Sequence, residues 1–252
     1  MKALTDILKT DFGVCSFDSV KDRLLNCRKK AEIPENAQSV ILFVFPYKIK
    51  EEKPENISRY AAVRDYHPII EKKLSEYISL LSKEFPHNTF VPFVDNSPFP
   101  EVFCASNAGL GVIGKNGLLI TEKYGSFVFI GEIATDLLLP ATNKAKNCMN
   151  CGLCKNACPV GLDKSLCISK ITQKKQPLTE EEQKLVIKGK SAWGCDICAE
   201  VCPLNKNKAL SNIDEFINSY RNSYTEGEDP QNRPYMWRGE AVIKRNSRLL
   251  NK

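Results

Sequence analysis

Eight of the eleven cysteines in the chain fall between residues 148 and 202, and their spacing limits the possible folds more than any other feature. They read Cys148-x2-Cys151-x2-Cys154-x3-Cys158-Pro159, then Cys167, then Cys195-x2-Cys198-x3-Cys202-Pro203. Two-residue gaps let a tight loop turn three sulfurs toward one iron–sulfur cube. A following Cys-Pro ends the loop and sends the fourth sulfur toward a second cube. The second run is one cysteine short of a full repeat, and Cys167 makes up the count. The expected ligand sets are Cys148, Cys151, Cys154 and Cys202 for one 4Fe–4S cluster, and Cys158, Cys167, Cys195 and Cys198 for the other. Structural zinc sites also take four cysteines, but as separated pairs rather than a triple followed by Cys-Pro. Disulfide frameworks belong to small secreted domains. Two such clusters make the chain a conduit for low-potential single electrons.

At 252 residues the chain is long enough for one large domain and a smaller one. No apolar run approaches the ~20 residues that cross a bilayer, and residues 39–47 have the length of a core strand. The first residues lack an apolar signal segment, and no twin-arginine sequence precedes the cysteines. The expectation is a cytoplasmic protein with no membrane partner, in a compartment where thiolate ligands survive. A net charge of +6 suggests only mild affinity for polyanions, because it is diffuse until the tail.

Taken in order, residues 2–10 have helical spacing, 12–17 suit a short strand and 18–31 suit a second helix. The apolar run from Ser39 to Pro46 reads as a strand buried on both faces. A long amphipathic helix is expected over 68–85, a strand over 89–94 ending at Asp95, and a helix over 98–108. Two strands, 118–121 and 126–136, follow a glycine-rich turn. Alternating strands and helices predict an α/β or α+β fold, with one mixed sheet covered by helices. The expected domains are residues 1–139, a ferredoxin-like dicluster domain at 140–210, and a basic helical tail at 211–252, with Pro140 to Lys146 as the linker.

Gly109-x-Gly111-x-x-Gly114 matches a dinucleotide-binding fingerprint in letters but not in setting. That fingerprint needs strand, turn and helix, so that pyrophosphate meets a helix N-terminus. Here a helical segment precedes the glycines and strands follow them. Such glycines let a backbone approach a flat or bulky ligand closely.

A longer set of motifs resembles one family. Arg59-Tyr60-Ala61, Asp65-Tyr66-His67, Val94-Asp95-x-x-Pro98, Gly109-Leu110-Gly111-x-x-Gly114-Lys115-Asn116, Gly125-Ser126 and Gly131-Glu132-x-x-x-Asp136 occur in the order found in epoxyqueuosine reductases. Cys167-Ile168-Ser169, Gly194-Cys195-Asp196-Ile197-Cys198 and Lys244-Arg245-Asn246 continue the match. The resemblance implies a base-off cobalamin in an N-terminal cobalamin domain, fed by the two clusters. It also implies reduction of epoxyqueuosine in a transfer RNA anticodon loop to queuosine. An electron donor of the flavodoxin or ferredoxin class would supply the clusters. By the same resemblance Asp95 is the proton donor to the opened epoxide, which desolvation under a corrin would favour, and Glu101 is a weaker acid candidate. Without the resemblance, Asp95 is equally well read as a strand-end cap. Tyr60, Asp65, His67, Gly111, Lys115 and Asn116 are the other expected cofactor contacts. Asp65-Tyr66-His67 lacks the rest of a cobalt-ligating histidine motif, so His67 is expected to make a hydrogen bond or touch the ligand edge. Cys15, Cys27 and Cys104 lie outside cluster spacing and read as small buried residues.

Three features depart from the family pattern. Val102 stands where members usually carry arginine, Ala62 and Val63 stand where many carry arginine and glycine, and the chain closes soon after Asn246, where many continue into helical repeats. They leave room for another small-molecule substrate of a cobalamin reductase, or for an electron-transfer or cobalamin-handling protein. The tail carries Arg233, Arg238, Lys244, Arg245, Arg248 and Lys252 with Tyr235 and Trp237 interleaved. It suits either a phosphate grip with base stacking or a helix packed on the cluster domain.

Overall fold

A strand flanked by others and covered on both faces must be apolar at nearly every position. Ser39–Pro46 meets that requirement and forms β2, with Val40, Ile41 and Leu42 fully buried. This is seen in a computed structural model, which describes residues 2–142 and 147–251, the side chains of residues 2 and 3 excepted. Residues 143–146 of the expected linker, and Lys252 of the tail, lie outside the described residues. α1 (Lys2–Leu8) and β1 (Phe12–Ser16) precede β2. After it come α2 (Tyr66–Glu84), β3 (Phe90–Val94), α3 (Glu101–Asn107), the short strands β4 (Val112–Ile113) and β5 (Leu119–Ile120), and β6 (Val128–Thr135).

The main sheet has the order β1-β2-β6-β3. β1 runs antiparallel to β2, with Phe12 opposite Phe43, and β3 antiparallel to β6, with Phe93 opposite Glu132. Backbone bonds from Gln38 N–H to Thr135 C=O (2.8 Å) and from Tyr47 N–H to Phe127 C=O (2.9 Å) run β6 against β2 as well. The expected mixed sheet is therefore antiparallel. Alternation did signal a β2–α2–β3 crossover with both strands in one direction, but β6 inserts between them and opposes each.

The expected helix over 18–31 is replaced by three short 3-10 turns, Phe17–Ser19, Lys21–Arg23 and Arg28–Glu32. Its apolar residues do not stay on one face: Val20 is buried while Leu25 is exposed. The Leu25 N–H instead bonds the Pro98 carbonyl at 2.7 Å, a tertiary contact that outweighs a weak local preference.

Packing groups the chain into two units, Met1–Phe45 with His67–Glu122 and Val128–Met149, and Pro46–Tyr66 with Lys123–Phe127 and Asn150–Lys252. In the first, Val40, Leu42, Phe93, Phe99, Ala105 and Ala134 form a core that also buries Cys15 and Cys104, as expected of those thiols. Each fully buried large side chain there is worth about 1.5–3 kcal/mol relative to exposure. α3 lies so close to β1 that a Cβ on Gly13 would fall 2.2 Å from the Ala108 carbonyl oxygen.

The second unit contains α4 (Leu153–Ala157), α5 (Ile168–Thr172), α6 (Glu180–Gly189), α7 (Ile197–Glu200), α8 (Asp214–Ile217) and α9 (Glu240–Leu250). α4 packs on α7, and α5, α6 and α9 pack on one another. Trp193, Tyr224, Tyr235, Val242 and Ile243 form its core. Thr179 and Glu182 close a reciprocal capping box at the start of α6. Among the described residues no helix is long and apolar enough to cross a membrane.

Candidate functional site

The cysteine loops wind through short helices. Asn150 and Gly152, on either side of Cys151, adopt left-handed backbone (φ 52° and 80°), which turns the loop into α4. Cys154 is buried within α4 and Cys158 ends it, Cys167 caps α5, Cys198 lies in α7, and Cys202 follows that helix. Burial pushes the Cys195 thiol up to about 11, and the sulfurs of Cys167 and Cys158 push it the same way. Cys195 is thus within electrostatic reach of Cys167 and of Cys158, the cysteines with which it was expected to share a cluster. Among the described residues, however, no set of three or more His, Cys, Asp or Glu side chains stands in ready metal-binding geometry.

One arginine organises the loop between Cys195 and Cys198. Arg59, 4% exposed, donates through Nε to Glu200 Oε1 at 2.5 Å and through its Nη atoms to the carbonyls of Lys50 and Glu51 at 2.7 Å each. Its backbone N–H donates to Asp196 Oδ2 at 2.6 Å. Burial raises the Asp196 carboxyl to about 6, and the Arg59 hydrogen bond and charge oppose the rise. Neither Arg59 nor Asp196 was expected in the site; their only sequence signal was membership in the family motifs. Asn246 is similar. Fully buried on α9, it donates to the carbonyls of Thr172 (2.7 Å) and Ala192 (2.8 Å), tying the Lys244-Arg245-Asn246 motif to the segments beside Cys167 and Cys195.

Of the expected cofactor contacts, Tyr60 and Asp65 belong to the second unit, and His67, Asp95, Gly111, Lys115 and Asn116 to the first. The Tyr60 hydroxyl accepts from Gln173 Nε2 at 3.3 Å, and its ring crowds Gly194, where a Cβ would fall 2.8 Å from Tyr60 Cε1. The Asp65 N–H bonds the Asn232 carbonyl at 2.7 Å.

Asp95 follows β3 in an unusual backbone state. Asp95 and Asn96 both have positive φ (45° and 38°), a region that costs non-glycine residues roughly 1–2 kcal/mol but that Asp and Asn tolerate best. The Asn96 N–H donates to Asp95 Oδ1 at 2.7 Å, and His67 Nε2 lies 3.3 Å from Asp95 Oδ2. The carboxylate is therefore held on both oxygens while its side chain stays 56% exposed. His67, near the start of α2, makes the hydrogen-bond-range contact that was expected of it, and the structure supplies the partner.

Behind Asp95 stand two acids that the sequence reading undervalued. Burial raises the Glu101 carboxyl to about 7, and the Asp95 charge adds to the rise. A hydrogen bond from the Asp95 backbone N–H, and the nearby His67, pull it back. Glu132, on β6 opposite Phe93, is fully buried. The Ser97 hydroxyl donates to its Oε2. Burial, then the Glu101 charge, holds its carboxyl well above the usual range. One oxygen of each glutamate, Oε1, is buried without a hydrogen-bond partner. The Asp95 side chain stays open to solvent, while burial tunes Glu101 toward neutrality. Val102 packs on the apolar cluster of the first unit.

The glycine-rich stretch is a β4–β5 ribbon, with Val112 opposite Ile120 and Ile113 opposite Leu119. Strand–turn–strand excludes the dinucleotide fingerprint. A Cβ on Gly111 would fall 2.6 Å from the Ile120 carbonyl oxygen, so that glycine serves the closure of the ribbon itself. Lys115 and Asn116 sit at its tip between exposed Ile113 and Leu118, and Asn116 Oδ1 accepts from the Leu118 N–H at 3.3 Å.

The tail divides. Arg233 is buried and donates to the Ala62 carbonyl at 3.1 Å, and Tyr235 is buried in the core, so neither is placed to grip or stack a nucleotide. Trp237 is exposed, with the Arg238 guanidinium 3.6 Å from its ring centre. Lys244, Arg245 and Arg248 line one cleft with Gln183, but Glu240 and Glu226 neutralise Lys244 and Arg248.

Comparison with known proteins supplies the context for this geometry. A family model described as epoxyqueuosine reductase QueG, DUF1730, matches residues 28–96. The epoxyqueuosine reductase of Leadbetterella byssophila is 36% identical over 158 residues, which cover 60% of this chain and 52% of that protein. The match thus spans about half the length of that relative. A selenomethionine-labelled epoxyqueuosine reductase crystal structure aligns with 99% of this chain and 80% of its own, at a TM-score of 0.85 and 24% identity. A crystal structure of epoxyqueuosine reductase with an epoxyqueuosine-modified tRNA-Tyr stem loop aligns over the same shares, at a TM-score of 0.83 and 24% identity. In sequence over part of its length, and in fold over nearly all of it, the chain resembles the epoxyqueuosine reductases.

Proposed function

We propose that the chain is an oxidoreductase that reduces the epoxide of epoxyqueuosine in a transfer RNA anticodon loop, giving queuosine. The observation that carries this reading is Asp95, an exposed carboxylate fixed by His67 and a left-handed turn, in a chain 36% identical to a named epoxyqueuosine reductase. Opening an epoxide leaves an alkoxide, and an aimed acid protonates it. His67 keeps the acid oriented.

The residues fit the cofactors this reaction needs. Cys158 and Cys167 already bear on Cys195, and α4 with Cys154 packs against α7 with Cys198. With Cys148, Cys151 and Cys202 they complete the soft donor set for two 4Fe–4S clusters in a ferredoxin-like module at residues 140–210. Thiols raised by burial are drawn to the thiolate form by a metal's charge. For base-off cobalamin, the first unit offers the polar tip Lys115–Asn116 flanked by exposed Ile113 and Leu118, a mixed surface suited to a corrin and its amide side chains. His67 completes the proposed contacts of that unit, and Gly111 lets the ribbon close. When bound, cobalamin supplies a strongly reducing cobalt centre and the clusters supply its single electrons. Low-potential donors of the flavodoxin or ferredoxin class, and a transfer RNA substrate, agree with a cytoplasmic setting. Phosphate contacts from the 211–252 tail would come from the face bearing Trp237 and Arg238.

The test is whether protein reconstituted with iron, sulfide and cobalamin restores queuosine in transfer RNA from cells lacking their own reductase. Asp95→Asn removes the acid at nearly constant shape, and turnover should fall by about 10²–10⁴-fold with cobalamin and iron retained. Full activity in Asp95→Asn would reject its acid role. Inactivity of the unmutated, fully loaded protein would favour the reading in which Val102 marks a different small-molecule substrate or a purely electron-carrying role.

A further inference from the structure

Reducing an epoxide to an alkene removes its oxygen as water. One epoxide, two electrons and two protons give one alkene and one water: both carbon–oxygen bonds break and two oxygen–hydrogen bonds form. The electrons come from the low-potential single-electron donor. Asp95 carries one proton at a time, so a second must reach it within each turnover.

Resting on the proposed epoxide reduction, we propose that Glu101 and Glu132 form a two-carboxyl proton store behind Asp95, with Glu101 recharging Asp95 for the second protonation. The geometry carries this. Glu101 opens α3, six residues beyond Asp95, and its carboxyl accepts the hydrogen bond of the Asp95 backbone N–H. Glu132 projects from β6 at the position opposite Phe93, two residues before Asp95, and α3 packs on β6. Glu132 is fully buried with a serine hydroxyl at one oxygen and nothing at the other, and the Oε1 of Glu101 is likewise buried and unbonded. A carboxylate so enclosed is pushed toward the neutral acid, on Glu101 against the opposing pull of His67. Asp95 and His67 bear on Glu101, and Cys15 bears on Glu132. Cys104, on α3, feels Cys15, Glu132 and Glu101. Both thiols are buried in the core, and the hydrogen bond with Cys15, then burial, push the Cys104 thiol well above its usual range. The upward displacement of both carboxyls, largest cause burial, agrees with that role. A relay residue acts through Asp95 and touches no substrate, so Glu101 is a positioning residue for protons rather than the acid itself.

Two measurements test it. Infrared titration of the full chain, without substrate, should show one protonated carboxyl lost near pH 7 in the unmutated protein, the same step at lower pH in Asp95→Asn, which lacks the charge that adds to the rise, and no such step in Glu101→Gln. In the loaded enzyme, turnover should decline as pH rises through that region. Glu101→Gln should be slower by about 10²-fold and nearly flat across it, and Glu101→Asp should restore part of the rate. Glu132→Gln, buried and near-isosteric, should lower turnover with the iron content unchanged. The infrared step surviving in Glu101→Gln, or an unchanged rate and pH profile in that variant of an active enzyme, would overturn the store. An unmutated enzyme that is fully loaded yet inactive on epoxyqueuosine would overturn the underlying reading, and this inference with it, a result distinct from the other two.

Discussion

The two units bury acids in opposite ways. In the second, Asp196 and Glu200 sit against Arg59, whose guanidinium also gathers backbone carbonyls, so the buried negative charge is answered. In the first, Glu132 has only a serine hydroxyl, and the charges nearest Glu101 include the like-charged Asp95. Burial raises carboxyls in both places, but the next-largest influence on Asp196 is the opposing hydrogen bond from Arg59, whereas on Glu101 it is the Asp95 charge, which adds to the rise. Paired acids hold a loop in place, whereas unpaired ones raised toward neutrality are suited to moving protons.

Removing the cation should break the second arrangement most severely. Arg59→Ala would strand Glu200 and the carbonyls of Lys50, Glu51 and Glu52, at a cost of about 3–5 kcal/mol in chemical denaturation. The loop between Cys195 and Cys198 would loosen, and reconstituted iron would fall. A loss under 1 kcal/mol with full iron would mean that the network is not structural.

The pH dependence of stability sharpens the contrast. An acid whose folded value lies above its unfolded value binds more protons in the folded state. Its effect is therefore a loss of stability as pH rises through that interval, the reverse of a salt-bridged acid. For Glu101 the interval runs from 4.5 to about 7, and the loss is at most about 3 kcal/mol. Asp196 adds its own loss between 3.8 and about 6, and Glu132 adds one above 4.5, so in the span from 6 to 7 it is the comparison with Glu101→Gln that isolates Glu101. Denaturation curves of Glu101→Gln should be flatter than those of the unmutated chain in that span. Identical slopes would show that Glu101 ionises as an ordinary surface acid.

The smallest effect belongs to a local device. Thr179→Ala deletes one half of the capping box that opens α6, and the expected cost is about 1 kcal/mol with iron and turnover unchanged. A larger loss would mean that α6 supports the cysteine loops more directly than its cap implies.

Local pattern alone was enough for several features. The cysteine spacing, the buried strand at residues 39–46, the long helix beginning at Tyr66 and the strand ending before Asp95 all follow from residue types a few positions apart. So does the rejection of a dinucleotide site at Gly109–Gly114, because a ribbon and a strand–turn–helix differ in what flanks the glycines. Tertiary structure decided the rest. β6 enters between β2 and β3 and turns an expected mixed sheet into an antiparallel one, a choice that no local window contains. The helix expected over 18–31 gives way because Leu25 finds the Pro98 carbonyl 73 residues away. Arg59 reaches Glu200, His67 reaches Asp95, and Tyr235 is drawn into the core, each by contacts with sequence-distant groups. Glu132 reads as an ordinary motif residue until β6 seats it opposite Phe93 and beneath α3. Sequence spacing determines which side chains share a face. What lies across from that face, and so which acid is paired and which is left to carry a proton, depends on where the chain returns.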